Sequence, residues 1–164
     1  MTPNIVTIVG KSNSGKTTLI VKLIKELTRR GHLLGTVKHT HDGFTMDEKG
    51  KDSWRHQEAG AASTLVVTSD RAALIKYDDS PFIERMKAYL GDRDLILAEG
   101  FKTHPLPKIE IFRTKGPHAS PLCMADEHLV AFVTDSPHRP PVPVFGLEEI
   151  TELADFIEER FIKG

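Results

Sequence analysis

The chain begins with a run of β-branched residues, followed by a glycine-rich turn and then by an amphipathic stretch. The run is Ile5–Val9, which predicts a buried strand. The apolar positions of the stretch recur at the period of a helix; they are Leu19, Ile20, Leu23, Ile24 and Leu27. Gly31 follows two arginines and predicts the end of this helix.

Similar strand and helix patterns alternate through the rest of the chain. Further strands are predicted at Leu33–Val37, Leu95–Ala98, Ile109–Phe112 and Leu129–Val133, and a hairpin is predicted from Thr64–Thr68 and Ala72–Tyr77. Further helices are predicted from Asp52 or Ser53 to Ala59, from Ser80 to Leu90 and from about Glu148 to Ile162. Apolar strands between amphipathic helices predict an α/β fold with a mostly parallel sheet covered on both faces. The hairpin adds an antiparallel piece, so we expect a mixed sheet.

The turn after the first strand fits the phosphate-binding pattern G-x-x-x-x-G-K-[ST] in full. Its residues are Gly10, Lys11, Ser12, Asn13, Ser14, Gly15, Lys16 and Thr17. Glycines allow the backbone angles and close approach that such a loop requires, and its amides and the helix N-terminus attract phosphate. Lys16 is expected to reach the β- and γ-phosphates, Thr17 to ligate Mg²⁺, and Thr18 to contact an α-phosphate. The alternative is a chance glycine-rich turn, which the flanking strand and helix disfavour.

The loop and its context predict a fold class for the whole chain. We expect a P-loop NTPase, with three α/β/α layers, formed by residues 1–164 as a single domain.

Hydrolysis or phosphoryl transfer also needs a carboxylate near Mg²⁺. Two acids flank the strand Leu95–Ala98, and ligands of such sheets bind at the carboxyl ends of strands. Asp94 is at the amino end, whereas Glu99 is at the carboxyl end and precedes Gly100. Glu99 is therefore the predicted Walker B acid, a Mg²⁺ ligand with Thr17 and a catalytic residue with Lys16. The alternative is that Glu99 only ends the strand in solvent.

The polar stretch from Lys38 to Lys51 is predicted to be a functional loop. Asp47, Asp52 and Ser53 fall where switch segments of P-loop proteins meet Mg²⁺ and the γ-phosphate, and Asp47 is a candidate catalytic residue. His39 and His41 share one face of an extended segment and, with an aspartate, offer ligands for another metal. Dispersed surface histidines are the commoner interpretation.

Lys11 directly follows the first glycine of the loop, as the signature lysine does in dimeric ATPases such as the nitrogenase iron protein. The neighbouring Ser12 and Asn13 replace glycines of that pattern, which favours a solvated loop lysine.

Composition excludes several classes of protein. The 164 residues carry a formal net charge of −1, so no basic excess points to nucleic acid or to an anionic membrane. The apolar runs are shorter than the roughly 20 residues that span a bilayer, and no signal pattern precedes the first strand. A single cysteine, Cys123, excludes a disulfide framework and is expected to be buried and inert. We expect a cytoplasmic protein.

Several short segments follow one another at a familiar spacing: Lys38-His-Thr-His41, Asp47, Gly50-Lys-Asp-Ser53, Arg55-His56, Ala59-Gly-Ala61, Glu99-Gly-Phe-Lys102, Pro107-Lys-Ile-Glu110 and Val133-Thr-Asp135. With the phosphate loop, they closely resemble the MobB family of molybdopterin-guanine dinucleotide biosynthesis adaptor proteins, from about residue 4 to residue 160. The resemblance implies a GTP-binding homodimer with weak GTPase activity. It also implies a partnership with the MobA guanylyltransferase, which joins GMP to molybdopterin.

The resemblance also implies further binding groups. Cations and donors near a nucleotide or a pterin phosphate would be Lys51, Arg55, His56, Lys102 and Lys108, each of which is alternatively an ordinary surface residue. Molybdopterin or its guanine dinucleotide would then be a further ligand. Asp135 is suitably placed to accept hydrogen bonds from guanine, so Asp135→Asn should weaken GTP binding much more than ATP binding.

Other functions stay open at this point. The leading interpretation is an adaptor with slow hydrolysis, because no water-orienting glutamine or arginine finger is apparent. A small-molecule kinase would need an arginine-rich lid, and a nickel-delivery GTPase would need more metal ligands than His39 and His41. A scaffold that only senses nucleotide differs from the leading interpretation in whether hydrolysis matters.

Overall fold

A computed structural model of the protein describes residues 4–41 and 43–164. Their contacts divide the chain into two compact units, Thr40–Arg85 and the remainder. In chain order the elements are β1 (Ile5–Val9), α1 (Lys16–Arg29), β2 (Leu34–Lys38), α2 (Asp52–Glu58), β3 (Ser63–Val67), β4 (Ala72–Lys76), α3 (Phe82–Leu90), β5 (Leu95–Glu99), β6 (Lys108–Phe112), β7 (Leu129–Thr134), β8 (Val144–Phe145), α4 (Ile150–Ile157) and a π-helical segment (Glu158–Ile162). The single-domain interpretation of residues 1–164 stays a prediction.

The larger unit contains a six-stranded sheet with the order β2-β5-β1-β6-β7-β8. Every pairing within it is parallel, so the carboxyl ends of its strands lie along one edge. Strand β1 lies between β5 and β6, with Thr7 opposite both Ala98 and Lys108. This order brings the ends of β2, β5 and β6 beside the loop that follows β1.

The predicted α/β class with a mostly parallel sheet is confirmed, but the expectation that the hairpin joins this sheet is wrong. Strands β3 and β4 form a separate antiparallel sheet in the smaller unit. The short turn between them favours pairing with each other, whereas parallel neighbours need longer crossover connections.

The central strands are buried along their whole length. Each residue of β1, β6 and β7 is buried, which is typical of a sheet with layers on both faces. Helix α1 contributes its predicted apolar stripe to the same core, with Leu23 and Leu27 fully buried. Burial of this stripe fixes the helix that begins directly after the phosphate loop.

The far end of α1 is held by charged groups of the C-terminal segment. Arg30 donates to Asp155 at 2.6 Å and also to Glu158, and the His32 ring lies 2.6 Å from Glu158. The contacts with His32 and Arg30 lower the pKa of Glu158 to about 2. These groups stabilise the position of α1 from the end opposite the loop.

Some boundaries differ from the sequence predictions. The predicted C-terminal helix divides into α4 and the π-helical segment, in which Lys163 N–H donates to the carbonyl of Glu158 at 2.9 Å. Strand β8 was not predicted, because its two residues are too few to show a pattern and depend on pairing with β7.

Cys123 is 4% exposed, and burial raises the pKa of its thiol to about 11, as expected for an inert cysteine. Among the described helices, none combines the length and the apolar character that crossing a membrane requires.

Candidate functional site

The first glycine of the phosphate loop lies where no side chain fits. Gly10 has a φ of 148°, and a Cβ there would lie 2.6 Å from the Ser14 hydroxyl and 2.7 Å from the carbonyl oxygen of Ile111. The carbonyl belongs to the neighbouring strand β6, so it cannot move aside without breaking the sheet. The close approach therefore requires glycine, as the motif predicts.

The second glycine leads directly into the helix. Gly15 has a φ of 99° and is the N-cap of α1, with no side chain capping the first turn. Asn13 also has a positive φ, 61°, a conformation that asparagine tolerates better than most residues. The loop therefore directs the uncapped amides of α1 and its partial positive charge toward one place, which suits an anion.

The lysine of the motif lies across the loop. The Lys16 ammonium donates hydrogen bonds to the carbonyls of Gly10 at 3.1 Å and Lys11 at 2.9 Å. Partial burial lowers its pKa, Glu99 opposes this effect, and the ammonium groups of Lys38 and Lys102 lower it further. Three lysines are thus close enough to repel one another, which makes the site favourable for a polyanion.

The predicted Mg²⁺ ligands lie together. The Thr17 hydroxyl donates to the Glu99 carboxylate, 3.3 Å from Oε1 and 3.2 Å from Oε2. Glu99 ends β5, next to β1, as expected from the strand-end rule. Hydroxyl and carboxylate oxygens are ligands that Mg²⁺ accepts alongside phosphate oxygens, so these two residues fit the ion.

A cavity of about 550 Å³ lies over the loop. Its lining consists of Ser12, Asn13, Gly15, Lys16, Thr17, Thr18, Lys38, Glu99 and Arg113. Seven of these are residues that the sequence predicted for the site. Lys38 was predicted only as the start of a functional loop, and Arg113 was missed, although Lys38 ends β2 and Arg113 directly follows β6. The rule that identified Glu99 could have found both if the strand order had been known.

A second cavity, of about 130 Å³, adjoins the first. It is lined by Gly15, Thr18, Leu19, Lys22, Ile111, Arg113, Leu147 and Glu148. Gly15, Thr18 and Arg113 line both cavities. The second cavity combines apolar side chains with the Lys22–Glu148 ion pair at 2.6 Å.

Three other predicted residues lie at the border of this region. The Lys11 ammonium is 3.4 Å from the Ser120 hydroxyl, and Ser14 is 5% exposed. Asp135 follows β7 and accepts a hydrogen bond from Thr114 N–H at 2.6 Å, which lowers the pKa of its carboxyl. Asp135 is not among the described lining residues of the two large cavities. Its role toward guanine stays a prediction.

Lys108 does not point to a ligand. Its side chain is 2% exposed, and its ammonium donates to the carbonyl of His104 at 2.8 Å and to Asp126 at 3.1 Å. Both faces of β6 are covered, so this lysine is buried and paired rather than available to a phosphate. The expectation that Lys108 binds an anionic ligand is corrected accordingly.

The remaining candidates lie in the smaller unit. The Asp47 carboxylate accepts hydrogen bonds from the Ser53 hydroxyl at 3.1 Å and from the Gln57 amide at 2.9 Å, which holds it to α2. Asp52 begins α2 and is exposed, as is Arg55. The contacts of these residues within their own unit leave their roles toward a nucleotide as predictions.

His39 and His41, in the loop after β2, are the histidines that the sequence offers as metal ligands. The His39 ring lies 4.9 Å from the ring of Phe101 and 6.1 Å from that of His104, centroid to centroid. Over residues 4–41 and 43–164, no three His, Cys, Asp or Glu side chains form a group that could hold a metal ion. The nickel-delivery alternative gains no support from this geometry.

Comparisons with known proteins agree on one family. Residues 5–135 match the family model of MobB, described as molybdopterin guanine dinucleotide synthesis protein B. A molybdopterin-guanine dinucleotide biosynthesis adapter protein of Haemophilus influenzae is 38% identical, over 92% of this chain and 85% of its own length. The protein of that name from Escherichia coli is also 38% identical, over 90% of this chain and 87% of its own length.

Solved structures give the same result. The crystal structure of Bacillus subtilis MobB has a TM-score of 0.75 at 26% identity and covers 96% of this chain and 98% of its own. A crystal structure of molybdopterin-guanine biosynthesis protein B has a TM-score of 0.73 at 28% identity, covering 94% and 97%. The similarity extends across both compact units.

Proposed function

The chain belongs to the MobB family, and on this basis we propose that it binds GTP with Mg²⁺ in its phosphate loop and serves molybdopterin-guanine dinucleotide biosynthesis as a nucleotide-dependent adapter. One observation carries the proposal. Lys16 lies across the loop, whose residues Ser12, Asn13 and Gly15 line the same cavity, and the Thr17 hydroxyl donates to Glu99 there. This arrangement supports the binding of phosphates together with the ion that accompanies them.

Slow hydrolysis is part of the proposal. The described lining of the phosphate cavity offers cations and one carboxylate but no glutamine that would orient water. Nucleotide would therefore act mainly as a ligand that selects a conformation or a partner. Rapid multiple turnover by the isolated protein would contradict this view.

The proposed partner is a MobA-like guanylyltransferase, which would work on molybdopterin or its guanine dinucleotide. Lys38 and Lys102 support such a role. The charges of both ammonium groups lower the pKa of Lys16 beside the phosphate loop, and they would attract a second phosphate. We place the protein in the cytoplasm, where its one free cysteine would stay reduced.

The partnership can be tested with a tagged, immobilised chain and a purified MobA-like guanylyltransferase. We expect the enzyme to be retained with GTP and Mg²⁺ and to be retained less without nucleotide, since GTP would stabilise the binding conformation. Equal retention in all nucleotide states would contradict an adapter that depends on nucleotide.

The predicted role of Asp135 is tested by titrating Asp135→Asn with GTP and with ATP. The variant should lose GTP affinity much more than ATP affinity, and equal losses for the two nucleotides would refute the role of Asp135.

We further propose a homodimer that uses the hairpin of β3 and β4. One face of this hairpin carries Leu65 and Val67, which are 60% and 63% exposed, and Leu74, which is 48% exposed and lies opposite Leu65. A two-stranded sheet is marginal by itself, and an exposed apolar face of this kind is typical of an interface. A second copy fits because a two-fold axis places the same apolar face against itself.

Leu65→Asp should convert the dimer into a monomer, because the buried interface would then contain unpaired carboxylates. Sedimentation velocity at several concentrations measures this change. Glu159→Gln in the other unit, an exposed position, serves as control and should remain dimeric. A wild-type protein that stays monomeric at high concentration would contradict the proposal.

A further inference from the structure

Among the described residues that line the larger cavity, Arg113 alone brings a guanidinium to it, and the nucleotide motif does not account for this residue. It directly follows β6, the neighbour of β1, and its side chain passes beside the loop: a Cβ placed at Gly15 would lie 3.5 Å from Arg113 Cδ. The side chain is exposed, and among residues 4–41 and 43–164 no hydrogen bond or ion pair within 4 Å holds its guanidinium, whose charge helps to lower the pKa of the Asp135 carboxyl. A cation so placed can bind an incoming anion without breaking a hydrogen bond or an ion pair.

Because Arg113 lies between the two cavities, its position indicates which phosphate group of a bound nucleotide it would contact. The larger cavity contains Lys16, Thr17 and Glu99, the groups suited to the β- and γ-phosphates and Mg²⁺. The smaller cavity has apolar walls from Leu19, Leu147 and Ile111 that suit a nucleoside. Gly15, Thr18 and Arg113 form the boundary between them. A nucleotide that occupies both cavities must place at this boundary the group that links its phosphates to its sugar, and that group is the α-phosphate.

We propose that Arg113 is a nucleotide-binding residue that holds the α-phosphate at the boundary between the two cavities, beside Gly15. The proposal rests on the proposed binding of GTP and adds a residue to it. Guanidinium groups bind phosphate oxygens through two parallel hydrogen bonds, which fixes orientation as well as charge. Arg113 would thus position the nucleoside in the smaller cavity while the loop holds the phosphate tail.

The assignment to the α-phosphate makes a specific prediction about nucleotide state. An arginine at the γ-phosphate would favour GTP over GDP, whereas an arginine at the α-phosphate contacts a group that both contain. Arg113→Ala should therefore lower the affinities for GTP and for GDP by the same factor, about 10- to 100-fold for the loss of a charge-assisted contact. The ratio of the two affinities should stay unchanged. Arg113→Lys should retain part of the affinity, because it keeps the charge but not the paired hydrogen bonds.

The test is equilibrium titration of wild type, Arg113→Ala and Arg113→Lys with GTP and with GDP in the presence of Mg²⁺. Arg29→Ala is the matched control: it removes an exposed arginine at the other end of α1, where Arg29 pairs with Glu26, and should leave both affinities unchanged. Thermal unfolding of each variant verifies that it is folded.

The outcomes separate this inference from the proposal on which it rests. Suppose that wild type binds both nucleotides, and that Arg113→Ala binds both as tightly as wild type or loses affinity for GTP alone. The α-phosphate assignment is then overturned while GTP binding stands. If wild type binds neither nucleotide, the proposed function fails and the role of Arg113 fails with it. An equal loss for GTP and GDP supports the assignment.

Discussion

Lys16→Ala is expected to reduce the affinity for GTP by on the order of 100-fold or more, because it removes a charge-assisted contact to the phosphates and exposes the lysine-bound carbonyls of the loop. In the structure the ammonium donates to Gly10 and Lys11, so it both spans the loop and faces the cavity. The other lysines near the site, Lys38 and Lys102, cannot substitute for it because neither hydrogen-bonds to the loop in the described structure.

The measurement is isothermal titration of wild type and variant with GTP and Mg²⁺. Lys25→Ala provides a matched control, since it removes an exposed lysine from the same helix away from the loop and should bind GTP as wild type does. Circular dichroism spectra and melting temperatures of the three proteins show that any loss of affinity is not a loss of fold. Undiminished affinity in Lys16→Ala would contradict the proposed site.

The second large effect is expected at Glu99. Glu99→Gln keeps the shape of the side chain and an oxygen that can accept from Thr17, but removes the negative charge that Mg²⁺ needs. GTP hydrolysis should fall about 100-fold, and the increase in GTP affinity on adding Mg²⁺ should largely disappear. Without Mg²⁺, variant and wild type should differ little.

This prediction is checked by GTP titrations with Mg²⁺ and with a chelator, combined with single-turnover hydrolysis. Asp94→Asn is the control, because Asp94 is the acid at the other end of β5, where its carboxylate accepts from Leu33 N–H at 2.7 Å. It should retain the full response to Mg²⁺. If Asp94→Asn lost that response and Glu99→Gln kept it, the assignment of the two acids would be wrong.

The sequence was sufficient to predict the parts of the site that are formed by residues adjacent along the chain. The loop from Gly10 to Thr17 is a local motif, and its glycines have the positive φ angles and the close approach to β6 that the motif requires. Glu99 could be chosen over Asp94 because the end of a parallel strand at which ligands bind follows from the fold class alone.

The missed features depend on contacts between distant parts of the chain. Lys38 and Arg113 reach the cavity only because the order β2-β5-β1-β6 places their strands beside the loop. That order is not readable from hydrophobic periodicity. The separate hairpin has the same explanation: the residues of β3 and β4 predict strands, but not whether they pair with the large sheet.

Lys108 shows a different limit. Lys108 and Glu110 alternate with apolar residues, which is typical of a strand with one solvated face. Both are buried, because β6 lies inside the sheet and its polar side chains have partners: Lys108 pairs with Asp126, and Glu110 accepts from Cys123 N–H at 2.8 Å. Burial raises the pKa of Glu110. A polar residue with a partner far along the chain cannot be distinguished from an exposed one by its pattern.

The most direct test of the account is calorimetric titration of the wild-type chain with GTP in Mg²⁺, followed by the same titration with ATP. We expect saturable binding of one GTP per chain, weakened by removal of Mg²⁺, with ATP bound less tightly. A folded protein that takes up no GTP at millimolar concentration would contradict the central claim that this loop is a guanine nucleotide site.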